Sequence, residues 1–232
     1  MKKTLVLLTF NEIEGLRALW ESVPVSAVDE VFAVDPGSKD GTLEFFRDKG
    51  VRVILQEKRG RGEAFRIAAR EASGEALCFF SPDGNEDPAD IPRLLGKIEE
   101  GYDLAIASRF LPGSRNDEAE SALPLRALAN RGFTLAAGML FGGRVSDTIN
   151  GFRAIRRDRF LDLAPDVEGF AIEFQISIRA MKRKLRIVEI PTIEGDRIGG
   201  ESTAYSIPTG LKVLRVLLRE AWIGGRFGTA GR

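Results

Sequence analysis

A single α/β domain, with a mainly parallel central sheet covered by helices on both faces, is predicted by three features of this 232-residue chain. Short apolar segments alternate with segments of helical period through the first half, which implies crossover connections between parallel strands. Those apolar segments are hydrophobic throughout rather than alternating, as strands buried on both faces are. The polar clusters follow directly after them, at the carboxyl ends where open parallel sheets bind ligands.

The expected strands are 4–9, 30–34, 51–55, 76–80 and 104–108, each short and rich in Leu, Val, Ile or Phe. Between them, Ile13, Leu16, Leu19, Trp20 and Val23 form one helical stripe after an Asn11 cap, and Phe65, Ile67, Ala68 and Ala72 form another. Residues 88–100 form a third helix with Ile91, Leu94, Leu95 and Ile98 facing inward. Pro112, Gly113 and Ser114 mark 109–123 as a long loop. Helices are expected at 124–140 and 171–184, a mixed loop and strand at 146–155, and a strand at 187–190. The segment 194–206, with three glycines, reads as mobile. A C-terminal amphipathic helix within 206–223 carries the stripe Leu211, Leu214, Leu217, Leu218 and Trp222, expected to pack on the sheet, with Lys212, Arg215 and Arg219 around its other side; the alternative is that this helix rests on an anionic membrane. No boundary divides 1–232.

Composition narrows the chemistry. Lys plus Arg number 34 and Asp plus Glu 34, so the formal charge is zero and nothing global favours nucleic acid. With 44% apolar residues the chain can bury a core. Histidine is absent, which excludes an imidazole base, a Ser–His pair and a His-rich metal site. The one cysteine, Cys78, sits in an apolar run and reads as an inert buried thiol. No apolar stretch is long enough to span a bilayer. A cytoplasmic protein, at most peripheral on the cytoplasmic face of a membrane, is the expectation.

Three polar clusters follow the first, second and fourth strands: Thr9-Phe10-Asn11-Glu12, residues 35–42 and residues 81–88. Taken singly, Asn11, Thr42 and Asp87 read as helix caps. Together, three clusters on one sheet edge point to a ligand site. The third offers oxygen donors suited to Mg²⁺ or Mn²⁺, hard cations that often share a nucleotide diphosphate.

The ordered motifs Asp35-Pro36-Gly37-Ser38-Lys39-Asp40-Gly41-Thr42, Gly60-Arg61-Gly62 and Ser81-Pro82-Asp83-Gly84-Asn85-Glu86-Asp87-Pro88 resemble the family 2 glycosyltransferases of GT-A fold, a Rossmann-like architecture. Ala107-Ser108-Arg109, residues 147–153, Glu189-Ile190-Pro191 and residues 197–202 resemble the branch containing dolichol-phosphate mannose synthases and other polyprenol-phosphate glycosyltransferases. The resemblance implies an inverting transfer of a hexose, mannose or glucose, from a GDP- or UDP-linked sugar to a polyprenol or dolichol phosphate at a membrane surface, assisted by Mg²⁺ or Mn²⁺.

By the same resemblance, Thr9, Asn11, Glu12, Asp35, Gly37 and Ser38 border the nucleoside, and Arg61 takes the basic place between two glycines. Asp83 and Asn85 are implied metal ligands, with Ser81 beside them. Asp83, Arg109 and Arg197 are implied catalytic groups. Arg126 lies near the phosphates, and Gly200 and Ser202 belong to a loop that closes over the donor. Three positions depart from the pattern. Pro36 stands in place of a second acid, Ser81 in place of the first acid of Asp-x-Asp, and Thr203 where many relatives carry a lysine.

A phosphate acceptor is already anionic and needs no base, which suits a chain without histidine. Two alternatives stay open. One is a same-fold transferase with a saccharide or other small-molecule acceptor, for which Asp147 or Glu173 would be the base. The other is a nucleotide-sugar-binding module that has lost catalysis.

Overall fold

The computed structural model describes residues 1–116, 125–199 and 206–228, apart from the side chains of 116, 125, 126 and 206–208. The first half runs β1 (Lys3–Leu8), α1 (Ile13–Leu19), β2 (Glu30–Asp35), α2 (Thr42–Asp48), β3 (Arg52–Leu55), α3 (Arg61–Glu71), β4 (Ala76–Phe80), α4 (Asp90–Glu99) and β5 (Leu104–Ser108). The second half runs β6 (Arg115–Asn116), α5 (Leu125–Phe141), β7 (Arg153–Arg156), α6 (Arg157–Leu163), α7 (Ile172–Lys182), β8 (Ile187–Pro191), β9 (Ile193–Glu194) and α8 (Ser206–Ile223).

Seven strands form one sheet in the order β3-β2-β1-β4-β7-β5-β8. All neighbours are parallel except β7, which runs antiparallel between β4 and β5. Alternate residues of each strand enter opposite layers. Val6 and Leu8 join Phe65 and Ala68 of α3 and Ile172 and Ile176 of α7. Leu5 and Leu7 join Leu16 of α1, Phe46 of α2 and Ile91 and Leu94 of α4. This two-sided burial is why the strands read as unbroken apolar runs. Cys78 is fully buried in the second layer, and burial pushes its thiol well above the ordinary range.

Several local expectations need correction. Asn11 does not cap α1: its backbone is left-handed (φ +54°) and its Oδ1 accepts the Lys39 N–H at 2.9 Å. The start of α1 is held instead by the neighbouring loop, with Ile13 N–H donating to Asp40 Oδ2 and Glu12 N–H to Thr42 Oγ1, both at 3.0 Å. The expected long loop contains β6, which pairs with β9, so Glu194, at the start of the segment expected to be mobile, is in a strand. Helix α6 and the antiparallel course of β7 were not expected, because both lie where polar and apolar residues mix without a clear period.

Helix α8 packs on α5 and α7, not on the sheet. Its inward side is Val213, Val216 and Leu217, which join Ala137, Phe174 and Ile178 in a third apolar cluster. Leu211, Leu214, Leu218 and Trp222 point outward, Trp222 with 80% of its surface exposed. Glu220 is the polar anchor of this packing. Buried between the helices, it accepts from Arg179 Nε at 2.9 Å and from Lys182 Nζ at 2.7 Å. Two cations thus compensate the buried charge, as burial of an ion requires.

Candidate active site

Strand order lays out one large cavity along the carboxyl edge of the sheet. Its volume is about 850 Å³. Residues after β1, β2 and β3 (Thr9, Phe10, Pro36 and Gln56) line one end, those after β4 (Ser81, Asp83, Asn85 and Glu86) the middle, and Arg109 and Thr192, after β5 and β8, the other end. Helices α5 and α8 add Asn130, Phe133, Gly210 and Lys212 to its lining.

Asp35 works from behind the wall. Its carboxylate accepts four hydrogen bonds, from Thr9 Oγ1, Gly37 N–H, Ser38 N–H and Ser38 Oγ, each 2.7 Å long. Gly37 has φ +96°, a conformation that favours glycine, so the loop can fold back onto the carboxylate. Asp35, Gly37 and Ser38 therefore shape the cavity without lining it. Asn11 lines a smaller adjoining recess with Glu14, Lys39 and Ile198. Thr9, Glu12, Arg61, Ser81, Asp83, Asn85, Arg109 and Arg197 all line the main cavity.

Arg61 opens α3. Its Nε is ion-paired with Glu173, and its Nη1 donates to Ser81 Oγ at 3.3 Å. The glycines on either side are demanded by packing: a Cβ on Gly60 would come within 2.7 Å of the Glu168 carbonyl oxygen, and one on Gly62 would clash with that of Val167. The Gly-Arg-Gly spacing thus places one guanidinium in the cavity while its backbone lies flush against the loop before α7.

Asp83 is tied to the segment after β9. Arg197 Nη1 donates to Asp83 Oδ2 at 2.7 Å, Ile198 N–H to the Asp83 carbonyl at 2.6 Å, and Asn85 Nδ2 to the Gly195 carbonyl at 2.8 Å. Residues 195–198, expected to be mobile, are thus laced to 83–85. The other arm of the Arg197 guanidinium reaches Glu12 Oε1 at 2.5 Å. Burial pushes the Glu12 carboxyl up to about 7, against the attraction of Arg197 and with the help of Asp83, and its Oε2 accepts no hydrogen bond from the described residues.

Oxygen donors dominate this region: two carboxylates, the Asn85 amide and the neighbouring Glu86. They fit a hard divalent cation in kind, and a guanidinium already stands as the positive charge between Asp83 and Glu12. No group of three His, Cys, Asp or Glu side chains capable of holding a metal occurs among the described residues. Such a cation would therefore complete its shell with ligand phosphates, as Mg²⁺ commonly does.

Arg109 is buried and forked onto Asp147, with Nε to Oδ2 at 2.7 Å and Nη2 to Oδ1 at 3.1 Å. Asp147 is fully buried, yet Arg109 and the Asn150 N–H hold its carboxyl below the ordinary range despite that burial. It does not line the cavity, so it is badly placed and too weakly basic to deprotonate an acceptor. Glu173 does line the cavity, paired with Arg61, and its Oε2 has no hydrogen-bond partner among the described residues. The Arg126 side chain, Gly200, Ser202 and Thr203 lie outside the described residues.

Some lining residues had no motif to mark them. Arg59 stacks on Phe10, its guanidinium carbon 3.7 Å from the ring centroid, and Gln56 stands beside them. Pro36, noted only as a departure, forms part of the wall, and Lys212, read only as a helix cation, faces the same cavity. Being polar residues after a short apolar strand was the one available signal for Gln56 and Arg59.

The profile of "Glycosyl transferase family 2" matches residues 4–163. The chain belongs to that family. It is 30% identical over 245 residues to the undecaprenyl-phosphate mannosyltransferase of Micrococcus luteus, covering 97% of this chain and 98% of that protein. It is 29% identical to the glycosyltransferase AglJ of Haloferax volcanii over 84% of this chain, and spans 63% of that relative's length. Among solved structures, glucosyl-3-phosphoglycerate synthase from Mycobacterium tuberculosis in complex with Mn²⁺ and UDP-glucose superposes with a TM-score of 0.77 at 22% identity, covering 95% of this chain and 79% of that one. The GT-A fold of this family 2 member agrees with that likeness.

Proposed function

We propose that this family 2 glycosyltransferase moves a hexose, mannose or glucose, from a UDP- or GDP-linked donor to a polyprenol or dolichol phosphate, with inversion. The observation that carries the lipid acceptor is the outer face of α5 and α8. Leu128, Leu135, Met139 and Leu140 of α5 and Leu211, Leu214, Leu218 and Trp222 of α8 are all exposed, a concentration of large apolar side chains that soluble surfaces avoid. The same two helices wall the cavity through Phe133 and Lys212.

Charge on these helices suits an anionic lipid surface. Helix α5 carries no acid, and the one acid of α8, Glu220, is buried against Arg179 and Lys182. Arg131, Lys212 and Arg215 supply cations beside the apolar face. A bilayer resting there brings a lipid-borne phosphate to the mouth of the cavity. No described helix is long and apolar enough to cross a membrane. The domain proposed is the whole of 1–232, with the helix at 206–223 as its membrane-facing element.

The reaction needs positioning and charge rather than a base. A phosphomonoester is already anionic near neutral pH, and its oxygen attacks the anomeric carbon as the nucleoside diphosphate departs from the opposite face. Arg61 and Arg197, with their planar forks, neutralise phosphate oxygens. Thr9, Glu12 and the loop that Asp35 holds in place border the nucleoside, and Arg109 stands near the acceptor end. Mg²⁺ or Mn²⁺, held by Asp83 and Asn85, would neutralise charge on the leaving diphosphate. The name of the Micrococcus luteus relative supports a polyprenol phosphate acceptor.

Incubation with radiolabelled GDP-mannose or UDP-glucose, undecaprenyl or dolichyl phosphate vesicles and Mn²⁺ is expected to yield a butanol-extractable labelled lipid. Label that stays wholly in the aqueous phase for every donor and lipid pair counts against the proposal.

A further inference from the structure

We propose that Glu86 supplies the anionic metal ligand that position 81 lacks, so that Asp83, Asn85 and Glu86 form the cation site for the donor diphosphate. This inference rests on the function proposed above and concerns how this particular chain meets its charge requirement.

Position 81 directly follows β4 and carries a hydroxyl, which cannot balance a dication. Five residues on, Glu86 turns back so that its Oε2 accepts the Ser81 backbone N–H at 2.7 Å. That bond places a carboxylate within reach of where an acidic side chain at position 81 would stand. Glu86 lines the cavity beside Asp83, the two carboxylates repel one another, and Arg61 attracts both. Hydrogen bonding of Arg61 to Ser81 Oγ leaves that hydroxyl as a neutral neighbour rather than an anionic ligand.

A second observation also points to a missing positive group. Glu12 and Glu173 line the same cavity, their side chains 10% and 3% exposed, and each has an Oε2 with no hydrogen-bond partner among the described residues. Buried carboxylate oxygens are ordinarily satisfied. Two such oxygens in one cavity, beside Asp83 and Glu86, mark a place built to receive added positive charge. The surplus is one carboxylate relocated along the chain, not one carboxylate lost.

Mn²⁺ binding to the full chain, with UDP and separately with GDP, tests this by calorimetry and by loss of the free-Mn²⁺ paramagnetic resonance signal. The wild type is expected to bind one Mn²⁺ more tightly with nucleotide than without. Glu86→Gln keeps an acceptor for the Ser81 N–H and is expected to weaken Mn²⁺ at least tenfold while metal-free nucleotide binding persists. Ser81→Asp combined with Glu86→Gln is expected to recover most of that loss. Wild-type Mn²⁺ affinity in Glu86→Gln, or no recovery in the double variant, overturns the assignment and leaves the proposed function standing. A wild type that binds neither nucleotide with or without Mn²⁺ overturns both.

Discussion

Arg197 and Asp83 lie 114 residues apart and meet in a 2.7 Å charge-assisted hydrogen bond. Through its second arm the same guanidinium holds Glu12, so the segment after β9 is strapped to the loops after β1 and β4. A fork aimed at two carboxylates is equally suited to two phosphate oxygens. Arg197→Ala is expected to weaken UDP or GDP binding by about ten- to a hundredfold, the worth of one or two charge-assisted bonds. Arg197→Lys, which keeps the charge without the fork, is expected to fall between. Calorimetric titration with each nucleotide measures both.

The buried Glu12 carboxyl gives stability a definite pH dependence. Its folded value of about 7 lies above the ordinary 4.5, so the folded state holds a proton that the unfolded chain has released. The associated stability is fully present below about 4.5 and is lost as pH rises through about 7, an effect of up to about 3 kcal/mol. Glutamine imitates the protonated form. Glu12→Gln is therefore expected to raise the melting temperature relative to wild type at pH 8 and to leave it nearly unchanged at pH 4. An equal shift at both values would contradict the assignment.

The pairing of Arg109 with Asp147 makes a warning for activity assays. Removing one member of a buried ion pair strands the other, at a cost of about 3–5 kcal/mol. Arg109→Ala and Asp147→Asn are both expected to lower the urea midpoint substantially, so lost transfer in either variant reports folding unless stability is measured alongside. A variant that keeps the wild-type midpoint and loses transfer would place Arg109 in direct contact with substrate.

Gly15 in α1 packs against the loop that carries Asp83. A Cβ there would clash with the Pro82 carbonyl oxygen and approach Asp83 Cα to 3.2 Å. Backbone cannot yield as a flexible side chain does. Gly15→Ala is expected to destabilise the fold by about 1–3 kcal/mol, the usual range for overpacking, and to weaken Mn²⁺-dependent nucleotide binding. Chemical denaturation and calorimetry together check it.

The outward face of α8 offers a test that leaves the core alone. Leu218→Ser with Trp222→Ser removes two exposed side chains, 61% and 80% accessible, and is expected to reduce sedimentation with anionic vesicles several-fold at unchanged melting temperature. Dimerisation through this face would show instead as a concentration-dependent mass that the double variant abolishes, with vesicle binding unaffected.

Much of this was legible in the sequence. Unbroken apolar strands announced a sheet covered on both faces, and Leu5 and Leu7 opposite Val6 and Leu8 bear that out. The polar clusters after β1, β2 and β4 do gather at one edge, with Thr9, Glu12, Arg61, Asp83, Arg109 and Arg197 around one cavity. What escaped depended on the third dimension. Asp35 belongs to its own loop, because four donors converge on it only once Thr9 and Ser38 are folded together. In α8 a stripe of leucines was visible, but its inward side is fixed by Glu220 meeting Arg179 and Lys182, partners supplied by another helix. Phe10 and Arg59 likewise meet only through the β1–β2–β3 arrangement.

The most direct test of the central claim compares acceptors with one donor and one enzyme preparation. Undecaprenyl phosphate, undecaprenol without its phosphate, and water-soluble 3-phosphoglycerate are each supplied with radiolabelled GDP-mannose or UDP-glucose and Mn²⁺. Label is expected to enter the lipid phosphate alone, since α5 and α8 both line the cavity and carry exposed apolar side chains, and a phosphate acceptor needs no base. Transfer to undecaprenol or to 3-phosphoglycerate in preference to the lipid phosphate would contradict that account.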